Sequence, residues 1–164
     1  MNNKTVPAFV LLSVVAGCQH VGAGKDSATE QLRGLVGQYR NDVPMSGLKS
    51  ILVVTEEGCP GCNKSLARLV EDYLADTSTL VWVSAVGGMV DISPFKAEPE
   101  RVVWDYGDSL RSLGIIKGSG AIFLDSGKID TVIQLDARNL GTALALVSDR
   151  LSTPANAPAD NPSR

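Results

Sequence analysis

Residues 50–74 read SILVVTEEGCPGCNKSLARLVEDYL, and their order decides the fold class. Ser50 to Thr55 is a continuous apolar run rich in β-branched residues, the pattern of a strand buried on both faces. Cys62 to Leu74 puts Leu66, Leu69, Val70, Tyr73 and Leu74 on one side of a helix. Cys59-Pro60-Gly61-Cys62 fills the turn between them. A buried strand running straight into an amphipathic helix opens an α/β unit.

The same alternation continues on both sides. Leu80 to Val86 (LVWVSAV) is a second apolar strand, reached through a parallel crossover that is right-handed by rule. Gly87 to Glu100 carries Gly, Pro and Glu and reads as irregular chain. Val102 to Trp104 makes a short strand, and Gly107 to Leu113 a short helix stopped by Gly114. Ala121 to Leu124 and Ile129 to Leu135 form a hairpin across Asp125-Ser126-Gly127-Lys128, with glycine where positive φ is needed. Asn139 caps a last helix through Leu151. Upstream, Asp26 to Asn41 spaces Leu32, Leu35, Val36 and Tyr39 as a helix, capped by Asp26 or Ser27 and weakened by Gly34 and Gly37. The expectation is an α/β fold over residues 26–151, a central mixed sheet of about four strands flanked by helices.

Beyond these limits the composition changes. Ser152 to Arg164 (STPANAPADNPSR) has three prolines and no large apolar residue, and is expected to be a disordered tail. Residues 1–17 run from a polar start with Lys4 through an apolar stretch to the small pair Ala16-Gly17, the order of an export signal. That stretch is about 12 residues, short of the roughly 20 that span a membrane as a helix. Val15-Ala16-Gly17-Cys18 resembles the bacterial lipobox, which implies cleavage before Cys18 and acylation of its sulfur. Residues 18–25 are then a tether to a lipid membrane. With Gln19 rather than Asp after the cysteine, the resemblance favours the periplasmic side of the outer membrane in a Gram-negative source.

The chain has 164 residues, with 15 basic and 18 acidic side chains and a net charge of −3. This length suits one domain, and the charge leaves no basic field for nucleic acid. Of three cysteines, one falls to the lipobox and two remain, three positions apart. The N-terminus of a helix offers free N–H groups and partial positive charge, which favour a thiolate at Cys59. Cys59 is thus the expected nucleophile and Cys62 the resolving thiol, with Pro60 and Gly61 as the spacer. Glu56 and Glu57 oppose a thiolate at Cys59, and Lys64 favours it.

The strand, CPGC, amphipathic helix, second strand and late hairpin resemble the thioredoxin superfamily over about residues 47–151. Gly114 to Ile129 (GIIKGSGAIFLDSGKI) resembles the family's segment before and through its hairpin. The resemblance implies a thioredoxin-like three-layer sandwich and thiol–disulfide oxidoreductase activity. It implies partners that are protein thiols or disulfides of the cell envelope, and a reducing or oxidising partner protein. It also makes the backbone of Ser119 and Gly120 the substrate-facing segment opposite the cysteines. Three positions depart from the pattern. Gly58 stands where Trp is common, Val53 where a buried acid is typical, and Ser119-Gly120 where most members carry a cis-proline.

No cofactor is expected. A structural zinc site needs four ligands, and the chain offers one CxxC and a single histidine, His20, in the tether. The same histidine cannot build a Ser/His/Asp triad, and Gly118-Ser119-Gly120 lacks the Lys-Ser/Thr of a phosphate loop. Trp82 belongs in the core, and Trp104, with Asp105 and Tyr106 beside it, either in the core or along a groove near the cysteines. The competing reading is a redox-inert lipoprotein that uses this fold as a binding or scaffold module, its CPGC a structural disulfide.

Overall fold

The computed structural model describes residues 23–84 and 87–153. Its elements are α1 (Ala23–Tyr39), β1 (Ser50–Thr55), α2 (Pro60–Glu71), β2 (Thr79–Ser84), β3 (Val102–Trp104), the single turn α3 (Ser109–Ser112), β4 (Gly120–Asp125), β5 (Lys128–Gln134) and α4 (Leu140–Ser152). The leader, Cys18 and the tail beyond Thr153 lie outside the described residues.

The strands form one mixed sheet in the order β3-β2-β1-β4-β5. β1 pairs parallel with β2 and antiparallel with β4, β2 pairs parallel with β3, and β4 pairs antiparallel with β5. The sheet has five strands, where about four were expected. Val102–Trp104 is too short to show a period, yet it pairs fully with Val81–Val83. Pairing to a neighbour, not propensity, makes it a strand.

Alternation along each strand sorts the core into two layers. Leu52, Val54, Val81, Val83, Ala121, Phe123 and Ile133 face α2 and α4, meeting Leu66, Val70 and Val147. Ile51, Val53, Leu80, Trp82, Val103 and Ile122 face α1 and α3, meeting Leu32, Val36 and Leu110. β1 is buried along its whole length because it is the central strand with helices above and below.

Tertiary contacts move several ends. α1 covers Ala23–Lys25, inside the stretch expected as tether, and Lys25 Nζ donates to the carbonyl of Asp130 on β5. Thr29 Oγ1 accepts the amide of Ile129, so α1 closes part of the outer edge of β5. α2 starts at Pro60, since Cys59 is its N-cap and proline suits the first helical position. Asn139 stands at the N-cap of α4 without capping it. Its amide instead accepts from Asp136 N–H (2.8 Å) and donates to the carbonyl of Gln134 (3.0 Å). The hairpin turn is as expected, with positive φ at both Ser126 and Gly127.

Candidate functional site

The cysteines sit where β1 leaves the sheet. Thr55 ends the strand, its Oγ1 accepting the amide of Glu57 at 2.9 Å. Gly58 follows with φ +81°, a turn that suits glycine, and delivers Cys59 to the cap of α2. Cys59 and Cys62 are joined in a disulfide, with Cα atoms 5.2 Å apart. Cys62 N–H donates to Cys59 Sγ at 3.2 Å. Cys62 is 0 % exposed in the core, whereas Cys59 is half-buried at its margin. A reagent from solution therefore reaches the first sulfur before the second.

The two acids ahead of the cysteines are each engaged. The Glu56 carboxylate accepts the backbone amides of Gly87, Met89 and Val90, pinning the loop after β2. Glu57 pairs with Arg111 of α3 at 3.4 Å, and Arg111 also pairs with Asp108. The charges expected to oppose a thiolate are thus partly met by a cation and by amide dipoles.

Ser119 and Gly120 are brought against this junction, but buried. Ser119 Oγ accepts the amide of Thr55 at 3.0 Å and donates to Asn63 Oδ1 at 2.7 Å. Its carbonyl accepts Leu135 N–H at 2.9 Å. Gly120 pairs with Val53 on one side and Gln134 on the other. The Ser119 carbonyl is thus engaged by Leu135, one residue past the end of β5, and Gly120 lies between β1 and β5. Glycine is needed at 120 for space: a Cβ there would lie 2.1 Å from the carbonyl oxygen of Ile133.

No family model, curated protein or solved structure matches this chain.

Sequence reasoning missed Asn63. It is 1 % exposed, and its Nδ2 donates to the Glu57 carbonyl at 3.1 Å. The available signal was an amide residue one position after Cys62, on the face that carries Leu66 and Ala67. Asp105, named from the sequence only as a neighbour of Trp104, is 1 % exposed at the end of β3. Asp105 accepts Trp82 Nε1–H at 2.9 Å, Tyr39 Oη–H at 3.2 Å, and both the amide and hydroxyl of Ser109. Burial pushes its carboxyl up, but the hydrogen bonds from Trp82, Ser109 and Tyr39 outweigh this and hold it below its ordinary 3.8. The signal was Trp82 in a buried strand, whose indole N–H needs an acceptor.

A groove of about 600 Å³ runs beside α2, between Lys64, Arg68 and the segment Gly88–Ser93, with Met89 exposed on its rim. Another cavity, of about 510 Å³, lies among Lys49, Phe123 and Arg150, and neither cysteine lines this cavity or the groove. Trp104 is partly buried against the core, and Tyr106 beside it is exposed. Among the described residues no three His, Cys, Asp or Glu side chains converge as metal ligands, and no helix is long and apolar enough to cross a membrane.

Proposed function

We propose that this chain is a thioredoxin-like thiol–disulfide oxidoreductase of the bacterial cell envelope, anchored through acylated Cys18. The observation that carries the proposal is the Cys59–Cys62 disulfide at a strand-to-helix junction, its first residue half-buried at the core margin and its second inside the core. A mixed sheet with helices on both faces is consistent with that family's sandwich.

In the reducing direction the Cys59 thiolate attacks one sulfur of a substrate disulfide. A mixed disulfide forms and the other substrate sulfur leaves as a thiolate. The Cys62 thiolate then attacks Cys59 Sγ, closing the disulfide seen here and releasing the second substrate thiol. Two electrons pass from the cysteine pair to the substrate. The oxidising direction is the reverse, with the disulfide accepting two electrons from a substrate dithiol. Pro60 starts the helix and Gly61 completes the spacer. Ser119 and Gly120 support the junction from within.

The test is a Cys62→Ala variant, which should trap mixed disulfides through Cys59, together with insulin reduction by the wild-type chain. No trapped partner, no insulin reduction and a potential below about −300 mV would reject the enzyme reading. That outcome favours the alternative, a redox-inert scaffold with CPGC as a staple, a reading supported by the internal use of the Ser119 carbonyl. For the anchor, Cys18→Ala should release the protein from membranes, and unchanged retention and mass would refute lipidation.

A further inference from the structure

Four groups meet behind the cysteine turn. Thr55 N–H donates to Ser119 Oγ, Ser119 donates to Asn63 Oδ1, and Asn63 Nδ2 donates to the Glu57 carbonyl. The peptide groups of Glu57 are therefore held at both ends, its N–H by Thr55 Oγ1 and its carbonyl by Asn63. One residue separates that carbonyl from Cys59, and this residue is Gly58, the most pliant choice for a turn. Asn63 N–H also donates to the Cys59 carbonyl at 3.0 Å, in the first turn of α2. Asn63 thus grips the turn on either side of Gly58, by side chain and by backbone. Asn63 and Ser119 are each 1 % exposed, so water does not replace these bonds readily when one is removed.

We infer that Asn63, oriented by Ser119, is the positioning residue of the cysteine pair: it fixes the Glu57-Gly58-Cys59 turn so that Cys59 Sγ stays on the Cys62 amide in the reduced state. The inference deepens the proposed function and rests on it for biological meaning. The hydrogen bond from Cys62 N–H to Cys59 Sγ strengthens when that sulfur carries a charge, because charge-assisted bonds are about twice as strong as neutral ones. Holding the geometry therefore favours the reduced form over the disulfide, and raises the potential. Releasing the Glu57 carbonyl lets the turn drift, weakens the bond at the thiolate, and shifts the pair toward the disulfide.

The experiment equilibrates the purified chain with glutathione buffers. Two glutathione thiols become one glutathione disulfide as the Cys59–Cys62 bond takes two electrons and two protons to become two thiols. Asn63→Ala should move this equilibrium about tenfold toward the protein disulfide, or about 30 mV for two electrons. The pH profile of Cys59 alkylation in the reduced protein should move to higher pH. Ser119→Ala, which leaves the bond to Glu57 in place, should give about a threefold shift of the same sign. It decides the matter if Asn63→Ala does not fold. Val36→Ala, in the opposite core layer, controls for loss of stability alone and should leave the potential unchanged. Folded variants with unchanged potential and alkylation profile, or with a shift toward the dithiol, overturn the inference. The potential is defined whether or not the chain has a redox partner, so failure of the enzyme reading would not be mistaken for failure here.

Discussion

Gly120→Ala should be among the most damaging single-methyl additions in the molecule. The new Cβ would meet the Ile133 carbonyl oxygen at 2.1 Å, Ile116 Cδ1 at 2.9 Å and Gln134 Cα at 3.0 Å. Two of these three neighbours are backbone atoms of β5. Gly120 is also paired with Val53 of the central strand, so β4 cannot step away without breaking that register. Overpacking of this kind costs about 1–3 kcal/mol, and opening one or two ladder bonds adds about 1 kcal/mol each. We expect a loss of about 3 kcal/mol. With a urea slope of about 1.5 kcal/mol/M, the unfolding midpoint should fall by roughly 2 M at unchanged slope. The internal contrast is Gly34→Ala, or Gly37→Ala, on the exposed face of α1. Neither has an atom within 4 Å of its ideal Cβ. Removing a helical glycine there should stabilise by about 0.5–1 kcal/mol. The reasoning fails if Gly120→Ala shifts the midpoint by under about 0.3 M, or if the two helical substitutions lower it.

Asp105→Ala strands the indole N–H of Trp82 and the amide of Ser109, and should cost about 3 kcal/mol in urea unfolding. The Asp105 carboxyl titrates below its ordinary 3.8 in the fold. Its contribution is therefore complete above that value and is lost as pH falls through the lowered one, so an Asp105→Asn variant should show a shallower acid limb in stability against pH. Reducing the Cys59–Cys62 disulfide opens a loop of only four residues, worth about 2 kcal/mol or less by loop entropy. The reduced chain should remain folded by circular dichroism, and global unfolding on reduction would contradict this. Glu56→Ala should speed amide hydrogen exchange at Met89 and Val90 at least tenfold while leaving β1 protected. Equal exchange in the two proteins would show that the loop is held by other means.

The central part of the fold was legible because its signals are long and mutually consistent. Ser50–Thr55 can only be a strand buried on both faces, and the helix after it has a clear apolar side. What stayed hidden depends on partners distant in sequence. Glu56 looked like a charge against Cys59, but amides about 30 positions later take up its carboxylate. Ser119 was judged by where a proline would stand. In the fold its hydroxyl completes the hydrogen bonding of Thr55, 64 residues earlier, which a proline could not do. Polar residues that serve buried networks carry no period of their own, and Asn63 is marked only by sharing a helix face with Leu66 and Ala67.

The strand order has a consequence for biogenesis. β1 is central, yet one of its two neighbours, β4, begins 65 residues after β1 ends. Until Gly120–Asp125 has been synthesised, the nascent chain holds β1, α2 and β2 with a long apolar edge unpaired and the Phe123 face of the core missing. Closing a loop of that length delays the pairing, and contacts of high sequence separation slow folding in general. Fragments that end before the hairpin should therefore be held by chaperones or aggregate, whereas a chain that includes the hairpin pairs both edges of β1.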